Sequence, residues 1–352
     1  MDEKKITIFD VAEKAGVSKG TVDRVLHNRG EVSKKSEAKV REAIKLLNYE
    51  PNLYASLLAT KSKREIALLL PKYNKGEYWE MLYDGFVAGG EAVSSLNIST
   101  NVFLYDQYDS ASFKTAAERM LESRPSGVVI PPLFKNDTME LVNKLNAMDI
   151  PYVYVDTRLE EGNYLAYYGM PMYKSGYLCA SLLTDRRRED EVKEIVVVRI
   201  QRDKSRLSDP TINRRAGFTD FIETYFPECV IYNLFIDPSD ARSTNEALES
   251  FHELHPGIKH VVMFNSRVHL LSDFFKRHPD NQRCVIGYDN LDGNVEAVRE
   301  GLVNLLITQH TDRQSHDAVV TLADYIIMRK QPPIRDCYVH MDILNKYNLE
   351  NY

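Results

Sequence analysis

TIFDVAEKAGVSKGTVDRVLHNRGEVS, residues 7–33, is the stretch on which the reading of the chain turns. Thr7 offers a hydroxyl to cap a helix start, an acid stands three residues on at Asp10, and Val11, Ala12 and Ala15 continue an apolar stripe at helical spacing. This predicts a first helix over about residues 7–14. Gly16 permits a tight turn. Ser18 then caps a second helix from Lys19 to about His27, with Val22, Val25 and Leu26 as its buried side. A third helix follows Ser33 and runs to about Leu47, with Val40, Ala43, Ile44 and Leu47 inward. Residues 1–50 therefore read as a small all-α helix-turn-helix head.

Beyond the head, Pro51 and Asn52 stop the pattern. The segment 53–59 is compatible with a helix but too short to be stable alone in water, and a charged linker follows it, so 51–64 reads as hinge and linker. From Ile66 the texture changes to short β-branched runs alternating with amphipathic helices. The strand candidates are 66–71, 99–105, 127–131, 152–156, 194–200, 229–235, 260–264, 284–289 and 304–308. Strands followed by helices imply parallel sheets with right-handed crossovers. Nine of them predict an α/β body of two doubly wound subdomains, about 65–160 with 290–325 and about 161–289 with 326–352. Ligand is expected in the crevice beyond the strands' carboxyl ends.

Charge divides the chain the same way. Residues 1–64 hold 14 Lys/Arg against 9 Asp/Glu, net +5, while the whole chain is at −6, which leaves −11 on the rest. A basic head that meets phosphates on an acidic body fits this asymmetry. The opening MDEKK and the lack of any 18-residue apolar run argue against a signal peptide and a membrane span, so a cytoplasmic protein is expected. Cys179, Cys229, Cys284 and Cys337 form no CxxC pair and read as buried free thiols rather than a zinc site or disulfide framework, and no cofactor is implied.

The 7–33 stretch, followed by KVREAIKLLNYEPN and then ASLL at 55–58, closely resembles the DNA-binding head of the LacI/GalR family, with DVA, AGVS, TV-x-RV and NY-x-PN in register. The body resembles periplasmic sugar-binding proteins of the ribose-binding type. The resemblance implies a sugar-responsive regulator acting as a homodimer on a two-fold symmetric operator. It places Lys19, Gly20 and Arg24 at base-contacting positions of the recognition helix, where Lys19 and Arg24 either donate to guanine or only touch phosphate. Thr7, Ser18 and Thr21 are capping or phosphate-binding hydroxyls, and Asn28 is a backbone contact or turn former. The resemblance also makes 52–59, with Ala55, a hinge helix that folds on the operator. Its Leu58 wedges a central base step, which works best as a symmetric pair and so implies the dimer.

In the body, Tyr78 and Trp79 stand where the ribose-binding type puts its stacking aromatics, and ordinary packing is the competing reading of Trp79. Asp156, Arg214, Asn265, Asp289 and Gln309 match its ligand-contacting positions, each at a strand's carboxyl end or a helix start. A lone Asp after a strand is often only a helix cap; together the five favour a site in which Asp156 and Asp289 accept from vicinal hydroxyls and the others donate. The charged loop Arg202–Thr211 leaves open an anionic effector such as a sugar acid or phosphate, and a protein partner is a third reading. No GxSxG, P-loop, post-strand GxGxxG or HExxH is present, so an enzyme is not expected.

Overall fold

The computed structural model describes residues 6–26, 32–47, 49, 63–184, 192–200, 211–280 and 282–351. The chain divides into two compact units, Met1–Ser62 and Lys63–Tyr352.

In the first unit α1 (Ile8–Ala15), α2 (Lys19–Leu26) and α3 (Lys34–Leu46) occupy the expected places. Thr7 and Asp10 form a capping box, the Asp10 carboxylate accepting from the Thr7 amide at 2.7 Å. Gly16 ends α1 at φ +63°, a left-handed turn that a side chain would strain. Ser18 Oγ accepts from the Thr21 amide at 3.2 Å and starts α2. One valine from each helix, Val11, Val22 and Val40, is wholly buried, and Tyr49 closes this core from beyond α3.

The second unit holds two six-stranded sheets. The first contains β1 (Arg64–Pro71), β2 (Ile98–Tyr105), β3 (Gly127–Ile130), β4 (Tyr152–Asp156), β5 (Ala166–Gly169) and β11 (Asp336–Tyr338), in the order β11-β5-β4-β3-β1-β2. The second contains β6 (Glu194–Ile200), β7 (Val230–Ile236), β8 (His260–Met263), β9 (Cys284–Tyr288), β10 (Leu305–Thr308) and β12 (Asp342–Leu344), in the order β12-β10-β9-β8-β6-β7. Strand for strand the two orders correspond. Among the described residues the pairings are parallel except β10 with β12.

Helices cover both faces of each sheet: α4 (Tyr78–Val93), α5 (Ser110–Glu122), α6 (Lys135–Ala147), α7 (Met172–Thr184), α8 (Thr211–Tyr225), α9 (Ala241–Leu254), α10 (Ser272–Arg277), α11 (Asp292–Arg299) and α12 (Thr311–Met328). Strand β1 shows why its run is apolar throughout. Ala67 and Leu69 pack with Phe113 of α5 and Leu141 of α6, while Ile66, Leu68 and Leu70 pack with Phe86 of α4 and Leu322 of α12.

Three strands were not expected from sequence. β5, AYYG, has no β-branched residue to mark it, and β11 and β12 have three residues each, too few to leave a period-2 trace. They move the subdomain boundaries. Since β5 belongs to the first sheet, the chain crosses at Met170–Pro171, not near 160. Ala297 and Val298 of α11 pack with Val285 and Leu306, so 290–308 lie with the second sheet and the return crossing is Gln309–His310. β11 rejoins the first sheet, so 326–338 stay there and the third crossing is Val339–Met341. Of the four cysteines only Cys179 is buried; the other three are half-buried, because Cys229 and Cys284 sit at the starts of β7 and β9 and Cys337 lies on β11, the outermost strand of its sheet. No helix among the described residues is long and apolar enough to cross a membrane.

Two helix pairs approach closer than side chains permit. A methyl on Gly176 of α7 would stand 1.7 Å from the Arg214 carbonyl oxygen of α8, and one on Gly85 of α4 would stand 1.8 Å from the Asp312 carbonyl oxygen of α12. Both obstacles are backbone and cannot swing away. Gly176→Ala should therefore destabilise the body by about 1–3 kcal/mol or more, read as a lower urea midpoint at unchanged slope. An unchanged midpoint would show that α7 and α8 separate freely.

Candidate functional site

The carboxyl ends of the two sheets face each other across a cleft, and two aspartates anchor its floor. Asp156 ends β4 and Asp289 follows β9, the corresponding strands of the two sheets, and both adopt the left-handed backbone at φ +65°. That conformation is uncommon outside glycine, although Asp tolerates it better than most residues. Each turn is held by a buried amide. Gln314 of α12 accepts from the Asp156 N–H at 2.9 Å and donates to the Gln309 carbonyl at 2.9 Å. Asn294 of α11 reaches the carbonyl oxygens of Ser266, Tyr288 and Asp289, each at 3.0 Å.

A hydrogen-bond relay links the two acids across the subdomains. Tyr78, at the start of α4, donates to Asp156 Oδ1 at 2.5 Å. Gln309 Nε2 lies 3.0 Å from both the Tyr78 hydroxyl and Asp289 Oδ1. Ser266 Oγ donates to Asp289 Oδ2 at 2.5 Å. Arg214, near the start of α8, donates to Gln309 Oε1 at 3.2 Å and to the Phe264 carbonyl at 2.9 Å, and its guanidinium lies 4.4 Å from the Tyr288 ring centroid. Among the described residues, neither the buried Arg214 Nε nor the Asn265 amide has a hydrogen-bond partner. At the mouth, Arg267 of the second subdomain meets Glu77 of the first at 3.3 Å.

Six of the seven residues expected to bind ligand line this cavity: Tyr78, Trp79, Asp156, Arg214, Asn265 and Gln309. Asp289 does not. Only 1% exposed, it lies behind Gln309 and Ser266, so here both of its oxygens accept from the protein rather than facing the cavity. Trp79 packs against the α4–α12 core and also lines the cavity, donating to Gln107 Oε1 at 3.3 Å. Gln314, Asn294, Ser266, Gln107 and Arg267 were missed. Gln107, two residues past β2, and Ser266 and Arg267, beside Asn265 after β8, stood where strand-end reasoning would have reached them. The loop 201–210 lies outside the described residues.

On the head, Lys19, Gly20 and Arg24 are exposed on one helix, α2. Lys19 Nζ lies 4.7 Å over the ring of Phe9, itself 64% exposed on α1. The Ser18 and Thr21 hydroxyls pair at 3.0 Å, and Thr7 is exposed in its cap. Asn28, Ala55 and Leu58 lie outside the described residues.

Residues 7–52 match the bacterial regulatory proteins of the lacI family, and residues 66–330 match the periplasmic binding protein domain. A Bacteroides fragilis chain described as a LacI transcriptional regulator superposes at TM-score 0.77 with 31% identity, over 83% of this chain and 100% of that one. The ribose operon repressor of Lactococcus lactis is 28% identical over 81% of each chain. The HTH-type transcriptional regulator RegA of Clostridium saccharobutylicum is 28% identical over 73% of each. A glucose-galactose binding protein from Geobacillus stearothermophilus, at 17% identity and TM-score 0.69, shares the fold of the body.

The relay carries an electrostatic cost. Burial dominates at Asp289 and holds its carboxyl above the ordinary range, although Arg214, Ser266 and Gln309 pull it back. The Tyr78 hydroxyl is pushed well up by burial and then by the charges of Asp156 and Asp289. For Asp289 the folded chain keeps a proton that the unfolded chain has released, so this group costs stability as pH rises through its raised pKa. Asp289→Asn removes that cost. Its melting temperature, relative to the parent protein, should gain as pH rises above about 4, near the unfolded carboxyl value, and level off once Asp289 of the parent has ionised; a difference that does not vary with pH would refute the assignment.

Proposed function

The chain belongs to the LacI family of bacterial regulatory proteins and is a DNA-binding transcriptional regulator, and from that premise we propose that an uncharged sugar in the cleft sets its affinity for a two-fold symmetric operator. The observation that carries this reading is the relay Asp156–Tyr78–Gln309–Asp289, in which groups from both subdomains meet at the strand ends. Vicinal hydroxyls can take over its donor and acceptor roles, and Trp79 offers a ring face for C–H surfaces. Among the described residues the charged lining is mixed, Glu77 and Asp156 beside Arg214 and Arg267, with no excess of cations to select an anionic effector. Arg214 Nε and the Asn265 amide are the donors best placed to take ligand oxygens.

Closure of the cleft is the two-state element, with Arg267–Glu77 as a contact made only when the subdomains approach. Coupling of about 1–3 kcal/mol would shift operator affinity some 5–150-fold. On the head, Lys19 and Arg24 read base edges from the exposed face of α2, Gly20 leaves its facing base weakly read, and Thr7, Ser18, Thr21 and Asn28 contribute backbone contacts. Hinge residues Ala55 and Leu58 enter the minor groove as a symmetric pair, so the working unit is a homodimer in the cytoplasm, where operator DNA is found. Its activity is binding rather than catalysis, as for the regulators it resembles.

The test pairs a melting screen against neutral monosaccharides, polyols, sugar acids and sugar phosphates with operator binding by fluorescence anisotropy. A sugar that stabilises the protein should also move operator affinity, and a response to acids or phosphates alone would overturn the uncharged class. Asp156→Asn keeps the turn but loses a charged acceptor, so sugar affinity should fall about 10- to 100-fold while sugar-free operator affinity holds. Leu58→Gly should weaken specific DNA binding far more than non-specific binding; equal losses would remove the wedge.

A further inference from the structure

The cleft continues beyond its mouth. The inner chamber holds about 80 Å³, which at roughly 10–15 Å³ per water-sized group takes five to eight such groups, about the bulk of one pyranose ring. Outside it lies a second, more open chamber of about 300 Å³. Glu77, Gln107, Tyr108 and Arg267 line both and form the waist between them.

The walls of the outer chamber are those of a saccharide subsite. Tyr108 is 57% exposed, a large ring at the waist. Tyr73 stands further out, fixed by its packing on Tyr83 at 5.8 Å between ring centroids. Asn74, Gln107 and Ser239 add uncharged hydrogen-bonding groups. Arg267 is paired with Glu77, and the exposed ammonium of Lys72 is too screened to select an anion by itself. Lys72 to Glu77 come from the first subdomain and Pro238, Ser239 and Arg267 from the second, so a group bound here is gripped by both halves.

We propose that the effector is a two-ring saccharide or glycoside, with one ring in the inner chamber and the other between Tyr73, Tyr108 and Ser239. This rests on reading the cleft as a sugar site. It deepens that reading by making the outer chamber, rather than the floor, the source of discrimination between a monosaccharide and its longer relatives.

Calorimetry on the full chain with matched probes tests it: glucose against maltose and cellobiose, galactose against lactose, xylose against xylobiose, mannose against mannobiose. At least one disaccharide should bind at least about tenfold tighter than its monosaccharide. Ser239→Trp, on an exposed loop, fills the outer chamber and should lower that disaccharide's affinity at least about tenfold more than the monosaccharide's. Tyr73→Ala should give the same split by removing a wall. Monosaccharides that bind as tightly as their disaccharides, or variants that weaken both equally, would overturn the inference while leaving the sugar site standing. No binding by any probe would overturn the sugar site, and the inference with it.

Discussion

A carboxylate taken out of water must find donors inside the protein or give up its charge, and the body carries two such groups at its centre. Asp156 and Asp289 occupy corresponding strand ends in the two sheets, in the same left-handed conformation, worth about 1–3 kcal/mol of backbone strain each. Much of the cleft can be read as the answer to that constraint. Tyr78, Gln309 and Ser266 supply hydrogen bonds, Arg214 supplies positive charge, and Gln314 and Asn294 clamp the turns that aim the acids inward. Tyr78 and Gln314 sit on the helix pair α4–α12 and Arg214 on α8, which packs on α7; these pairs come close at Gly85 and Gly176, each of which faces backbone. A hydrocarbon floor would be simpler to stabilise; one made of mutually satisfied polar groups is strongly held and yet replaceable by another set of hydroxyls.

What the sequence made legible was whatever repeats or caps. Helix starts at Thr7, Ser18 and Ser33 show because capping chemistry is local, and the apolar run of β1 shows because both faces of its sheet are covered. Polar residues ending strands, such as Asp156 and Asn265, could be placed because doubly wound folds gather strand ends in one place. β11 and β12 were illegible since three residues carry no period, and β5 because AYYG lacks the β-branched residues that mark strands of equal length such as β3, and the subdomain boundaries went with them. Gln314 and Asn294 were illegible for another reason. Each is one polar residue on a helix, and nothing local tells a buried clamp from a solvated side chain. Asp289 lay between: its position was readable, whereas the fact that protein donors cover it depended on Gln309 and Ser266, distant in sequence from it.

The two units solve different problems with different means. The head has a core of a few valines and alanines and one tyrosine, near the lower size at which a chain folds alone, and spends its exposed surface on cations and hydroxyls. The body, with four apolar clusters over two sheets, has stability to spare and can carry buried charge at its centre. Strain and electrostatic tension are thus kept in the part best able to bear them.

The three chain crossings at Met170–Pro171, Gln309–His310 and Val339–Met341 have a mechanical meaning. Two bodies joined by one strand can tumble, with three rotations available between them. Joined by three short strands, with His310 tied to Asp342 at 2.7 Å across two of them, they retain essentially one. Whatever closes the cleft therefore moves the molecule along a single coordinate. Little conformational freedom remains to be lost on binding, and a small chemical event at the floor reaches the outer surface as one defined rotation instead of dissipating among many.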